Sequence, residues 1–191
     1  MDLDEVGSRV EELATRFGVD AAPVEAGDVP TWWLDGVRPK ARNQQPVLVI
    51  GPVFESLPPG EQEGALAEGL LVLHYSEREK YKLLLSLLVL AAAPALLITA
   101  AKKLGVLPDL PGWQWAAVSV LIFAVGTCAA TCLWNRSIIP LLDRRMTEVL
   151  GWETTASMID LSERARAAAP DLVGVYVRLT VPSKKRRLRR L

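Results

Sequence analysis

Histidine is nearly missing from this chain: His74 is the only one among 191 residues. A catalytic zinc site needs about three protein ligands, and a lone imidazole has no second histidine with which to share a metal. Serine–histidine and cysteine–histidine catalysis lose support for the same reason. Cysteine is also scarce. Cys128 and Cys132 both fall in an apolar run, four residues apart and therefore on one helix face. There they read as small packing residues and not as a disulfide framework. A phosphate-binding loop is missing too, because Gly60–Gly69 lacks the lysine and the serine or threonine of a P-loop. The formal net charge is zero, so overall charge says nothing about partners. The acidic start, Met-Asp-Leu-Asp-Glu-Val, does not read as a signal peptide.

Long apolar runs are present. Leu83–Ala101 and Trp113–Trp134 carry no charged residue. At the helical rise the first spans roughly 28 Å, close to the hydrocarbon core of about 30 Å. Two transmembrane helices are expected, the first acting as its own signal. With no charge inside either span, an ion path or proton relay is not expected. Arg78, Lys80 and Lys82 precede the first span, and Arg136, Arg144 and Arg145 follow the second. The excess of basic residues over the connecting loop places both termini in the cytoplasm. The small-residue pairs Ala91/Ala95 and Gly126/Ala130 permit close packing of the two helices as a hairpin.

Outside the spans, Leu3, Val6, Val10, Leu13 and Phe17 recur at helical spacing, with Gly18 as a stop. Pro46–Phe54 reads as a strand, and a second short strand is expected near Thr31–Leu34. A helix from about Pro59 to Lys80 should lead into the first span. Another should run from about Ile138 to Ala168. Val173–Val181 alternates enough to be a short strand or an extended arm. The tail from Ser183 holds Lys184, Lys185, Arg186, Arg187, Arg189 and Arg190, which are read as contacts to anionic phospholipid. A nucleic-acid surface is not expected, because interleaved aromatics and a reading helix are lacking.

Leu66-Ala67-Glu68-Gly69-Leu70-Leu71-Val72 follows a strand and a helix start and precedes the two apolar runs. That order resembles the HtpX-type membrane zinc metallopeptidases, whose pattern here is Leu-Ala-His-Glu-x-x-His. A gapless match puts Glu68 and Val72 at the two histidine positions and Gly69 at the catalytic glutamate. Shifting by one residue leaves Ala67 and Leu71 as ligands, so neither frame restores the site. Arg145-x-x-Glu148-x-x-Gly151-Trp152 resembles the family's Arg-x-x-Glu-x-x-Ala-Asp, whose glutamate is the third zinc ligand. Pro182, Ser183, Arg187 and Leu191 match the family's closing His-Pro-Ser-x-x-x-Arg-x-x-x-Leu, with Val181 in place of the histidine.

The resemblance implies a mainly helical α+β fold in which a two-helix transmembrane hairpin interrupts a small cytoplasmic peptidase-like domain of a bacterial inner membrane. The expected division is 1–82 for the first cytoplasmic half, 83–101 and 113–134 for the spans, 102–112 for the outer loop, and 135–191 for the second half. Glu68, Gly69, Val72 and Glu148 mark a degenerate zinc site, with no catalytic residue, metal or cofactor expected. Family members take substrates as an added strand, and Val47, Val49 and Gly51 are the expected edge. The reading is an inactive peptidase-like protein that binds or regulates a membrane-protein partner or a second copy. The alternatives are a structural membrane protein acting through its hairpin and tail, and a zinc enzyme with Glu68, His74 and Glu148 as unusual ligands.

Overall fold

Helix α1, Leu3–Phe17, forms on the expected stripe: Val6, Val10, Leu13, Ala14 and Phe17 are all buried. Asp2 caps its start by accepting from the N–H groups of Asp4 (3.0 Å) and Glu5 (3.4 Å). Gly18 ends it at φ 65°. The computed structural model describes residues 2–42, 45–103 and 112–191. The chain is mainly helical, with one small three-stranded sheet. It divides into two compact units, Met1–Glu77 with Asn135–Leu191, and Arg78–Trp134.

The sheet lies in the first unit and comprises β1 (Val24–Ala26), β2 (Val37–Arg42) and β3 (Gln45–Ile50), in the order β1-β3-β2. β3 pairs parallel with β1 (Glu25 opposite Val49) and antiparallel with β2 (Pro39 opposite Leu48). Two expectations change here. The strand ends at Ile50, and Pro52–Ser56 is a 3-10 turn. The expected strand near Thr31–Leu34 is a turn instead. Trp33 donates its N–H to Pro30 (2.8 Å) and Gly36 donates to Trp33 (3.1 Å), so these backbone groups are used locally.

Gly36 is the hinge of that turn. Its φ is 65°, and a Cβ there would sit 2.6 Å from the Phe54 backbone nitrogen. Gly36→Ala therefore meets both a left-handed backbone penalty and a collision with main chain that cannot swing away. We expect a loss of about 2 kcal/mol, read as a lower denaturation midpoint; an unchanged midpoint would contradict this packing.

Helix α2, Pro59–Lys103, runs without a break from the first unit into the apolar region. Its first turns bury Ala65, Leu66, Ala67, Leu70, Leu71 and Leu73. Gly64 faces α4, since a Cβ there would meet Met158. Helix α3, Gly112–Leu150, carries Trp113–Leu150, which among the described residues is the one helix long and apolar enough to cross a membrane. The other expected span, Leu83–Ala101, falls in the distal half of α2; of the outer loop expected over 102–112, Lys102 and Lys103 end α2, Gly112 begins α3, and 104–111 lie outside the described residues.

The single helix expected over 138–168 is two. α3 stops at Leu150, Gly151 takes φ 91°, and α4 runs Trp152–Ala168. Val173–Val181 also departs from expectation, because Asp171–Thr180 is helix α5. The valine run fits both periods: Val173, Val177 and Thr180 recur at helical spacing, and Thr180 is buried. Helix α6, Lys184–Leu188, closes the chain. The core of the unit gathers Phe17, Leu48, Ile50, Phe54, Leu66, Leu70, Met146, Met158 and Ile159.

Candidate functional site

Four ionisable side chains from four separate elements interact inside the first unit: Asp35 from the turn before β2, Glu68 from α2, Asp143 from α3 and Arg187 from α6. Asp143 sits beside Leu142 on a part of α3 that also buries Ile138 and Met146. Arg187 reaches it from the C-terminal helix. The Arg187 Nε donates to Asp143 Oδ2 at 2.8 Å, and Nη2 donates to Oδ1 at 2.5 Å. Both residues are buried, with relative exposures of 2% for Asp143 and 5% for Arg187. A planar fork on a carboxylate is a geometry that lysine cannot reproduce. Burial opposes the guanidinium charge, but the hydrogen bonds to Asp143 and the negative potential of Glu68 outweigh it.

Glu68 lies beside this pair. Burial pushes its carboxyl above the ordinary range; Arg187 pulls it down, and Asp143 pushes it further up. Asp35 is held by its own turn, its Oδ1 accepting from the Val37 N–H at 3.0 Å. Burial and then the proximity of Glu68 raise it to about 7, against the lowering effect of Val37 and Trp33. Thus Asp143 occupies the guanidinium fork, Glu68 and Glu163 add negative potential around Arg187, and Asp35 is coupled to Glu68. Asp35 is left with a carboxyl raised to about 7, and Glu68 with one raised above the ordinary range.

Gly69, at the position of the family's catalytic glutamate, packs on the sheet. A Cβ there would be 2.9 Å from Leu48 Cδ2 and 3.0 Å from Val37 Cγ1. Glycine at this point lets α2 approach β2 and β3. Val72 is half-buried one turn beyond Glu68. Glu148 stands apart on the surface of α3, accepting from Arg144 Nε (3.0 Å) and Arg145 Nη1 (3.4 Å). The hydrogen bond from Arg144, with that from Arg145, holds its carboxyl below the usual range. Arg145 also donates to the Phe17 carbonyl (3.1 Å), tying α3 to the end of α1. His74 lies edge-on to Tyr75, with ring centroids 5.5 Å apart. Among the described residues no three histidine, cysteine, aspartate or glutamate side chains are grouped to hold a metal. Glu68, His74 and Glu148 are therefore not brought together.

Two further site expectations are corrected. Val47, Val49 and Gly51 are not a free edge. Both sides of β3 are paired, Val47 is buried, and the Gly51 N–H donates to the Gly36 carbonyl at 2.8 Å. A central strand has no backbone groups left for an incoming chain. The outer edges belong to β1 and β2, and β2 carries Pro39 and Lys40, residues that discourage casual strand addition. The six-residue lipid contact also shrinks. Arg187 is buried against Asp143, and Lys184 pairs with Asp160 while its N–H donates to Glu163 at 2.8 Å. Lys184 stays exposed in that surface pair, and Lys185, Arg186, Arg189 and Arg190 are exposed as well.

Asp35 and Asp143 were not marked by any sequence motif. The only sequence signal for Arg187 is its match to the family's closing pattern. Comparison with protein-family models, curated proteins and solved structures returned no match for this chain.

Proposed function

We propose that this chain is a membrane-anchored, catalytically inactive protein of HtpX-type design, whose cytoplasmic domain binds or regulates a membrane-protein partner. The observation that supports this reading is the buried Arg187–Asp143 fork beside Glu68. Next to the position that the resemblance assigns to the first zinc ligand, a side-chain guanidinium already supplies the positive charge. A guanidinium cannot activate water as a zinc ion does. Its role is to hold the C-terminal helix to α3, and the domain then has no chemical step to perform. A captured partner strand would fall to an outer edge of the sheet at β1 or β2.

The proposal keeps two spans, Leu83–Ala101 and Trp113–Trp134, and both termini in the cytoplasm, on the strength of their length, their lack of charge and the flanking basic residues. The test is metal content and proteolysis on full-length protein purified in mild detergent without chelator. Zinc far below one equivalent per chain and no cleavage of an unfolded substrate are expected. Near-stoichiometric zinc that disappears in Glu68→Ala or Glu148→Ala, together with cleavage, would overturn the reading.

The exposed apolar side chains of α3, among them Val120, Leu121, Phe123 and Val125, favour a second reading. Here a structural membrane protein associates through its spans. That reading expects Gly126→Leu to abolish association, whereas capture by the cytoplasmic domain survives it.

A further inference from the structure

Helix α5 is amphipathic in the wrong sense for a helix on a water-facing surface. Gly174 and Thr180 are buried, and Val173 and Val177 are half-buried on the same side. The opposite side presents Val175 (54% exposed), Leu179 (50%) and Tyr176 (41%), flanked by Arg178 and Asp171. A surface helix in water normally turns its polar residues outward. Three large apolar side chains on one outward face are a patch with a purpose.

Two observations name the occupant. The first is position. Arg136 Nε donates to the Leu179 carbonyl at 2.9 Å, capping the C-terminal end of α5 with a cation. Arg136 lies two residues beyond Trp134, the last residue of the apolar run of α3, a helical rise of about 3 Å. Arg136 is therefore within one turn of the expected membrane interface, and its side chain holds the C-terminal end of α5. The second is charge. After Val181–Ser183 the chain enters α6, where Lys185 and Arg186 are exposed, followed by exposed Arg189 and Arg190. Outward apolar side chains followed by unspent cations are the signature of a helix lying in the headgroup region of an acidic bilayer.

We propose that α5 and α6 form an interfacial foot on the acidic phospholipid surface. Val175, Tyr176 and Leu179 enter the headgroup–acyl boundary, and Lys185, Arg186, Arg189 and Arg190 pair with lipid phosphates. The proposal rests on the membrane-anchored reading above. It adds that the second cytoplasmic segment is held against the bilayer through its own face. It also accounts for the unequal fate of the basic tail: Arg187 is turned into the protein, Lys184 pairs with Asp160 at the surface, and the other four are left for lipid.

The experiment uses the full-length protein in nanodiscs, with Cys128→Ala and Cys132→Ala removing the native thiols. Single labels with an environment-sensitive dye are placed through Val175→Cys, Leu179→Cys and, as a reference on the exposed face of α1, Glu12→Cys. Spin-labelled lipids should quench the first two and spare the third. Quenching should increase when phosphatidylserine is added to phosphatidylcholine discs. Reversing the charges of Lys185, Arg186, Arg189 and Arg190 to glutamate should remove that increase and leave folding intact. Incorporation into discs with no more quenching at 175 and 179 than at 12 would overturn the foot but leave the anchor standing. Failure to incorporate would overturn both. Dye protection that depends on the number of chains per disc, with no lipid quenching, would give the face to a second copy and overturn the lipid assignment.

Discussion

Asp143→Ala is expected to lower the unfolding free energy of the cytoplasmic unit by about 3–5 kcal/mol, and Arg187→Ala by a similar amount. Each substitution leaves its partner charged and buried without its fork. Arg187→Ala also strips Glu68 of the one positive charge that lowers its carboxyl. Arg187→Lys should recover little, because an ammonium group cannot span both carboxylate oxygens. The combined change Asp143→Leu with Arg187→Met should recover much of the loss, since buried ion pairs are often replaceable by well-packed apolar groups. Chemical denaturation of the four variants in mild detergent measures this. If both single substitutions cost less than about 1 kcal/mol, the fork contributes no more than a surface pair. The same argument predicts that removing residues 184–191 destabilises the domain, although the tail reads on paper as a dispensable basic end.

The second large effect is a dependence of stability on pH set by Asp35 and Glu68. The Asp35 carboxyl goes from 3.8 to about 7 on folding, chiefly by burial. A carboxyl raised in the folded state binds more protons there than in the unfolded chain, so stability falls as pH rises. The penalty is absent below the unfolded value of 3.8, grows as pH climbs, and is complete above about 7. Without screening this would amount to about 4 kcal/mol, and partial exposure of Asp35 reduces it to roughly 2–3 kcal/mol. Glu68 is raised by the same cause and acts in the same direction. Asp35→Asn keeps an oxygen to accept from the Val37 N–H and removes the titration. It should therefore stabilise the protein at pH 8 by about 2 kcal/mol and flatten the curve between about pH 4 and pH 7. Denaturation midpoints at several pH values test this, and a parallel curve for Asp35→Asn would remove Asp35 from the cluster.

These two expectations concern the part of the molecule that is least legible in the sequence. The fork joins residues 44 positions apart. Arg187 sits among five other cations that look alike on the page, and only its match to a closing motif sets it apart. Asp143 lies between Leu142 and Arg144 with nothing local to mark it as buried. The central place of β3 is hidden for a similar reason. The apolar run Pro46–Ile50 is compatible with an edge or a centre, and its neighbours are one short strand and one strand rich in charge. The alternation in Val173–Val181 favours extended chain, yet the same valines also recur at helical spacing. Among the described residues no strand lies beside the segment to take its hydrogen bonds, and the helical period prevails.

Where interactions are local, the sequence alone was sufficient. The α1 stripe, its Gly18 end, the start of α2 near Pro59 and the apolar length of α3 depend on spacing, capping and hydropathy within a few turns, so they can be read residue by residue. The break at Gly151, the strand order, the burial of Arg187 and the outward apolar face of α5 were decided only by tertiary structure. Each depends on which distant surface a segment meets, and that meeting changes the environment of a side chain without changing anything in its neighbours along the chain.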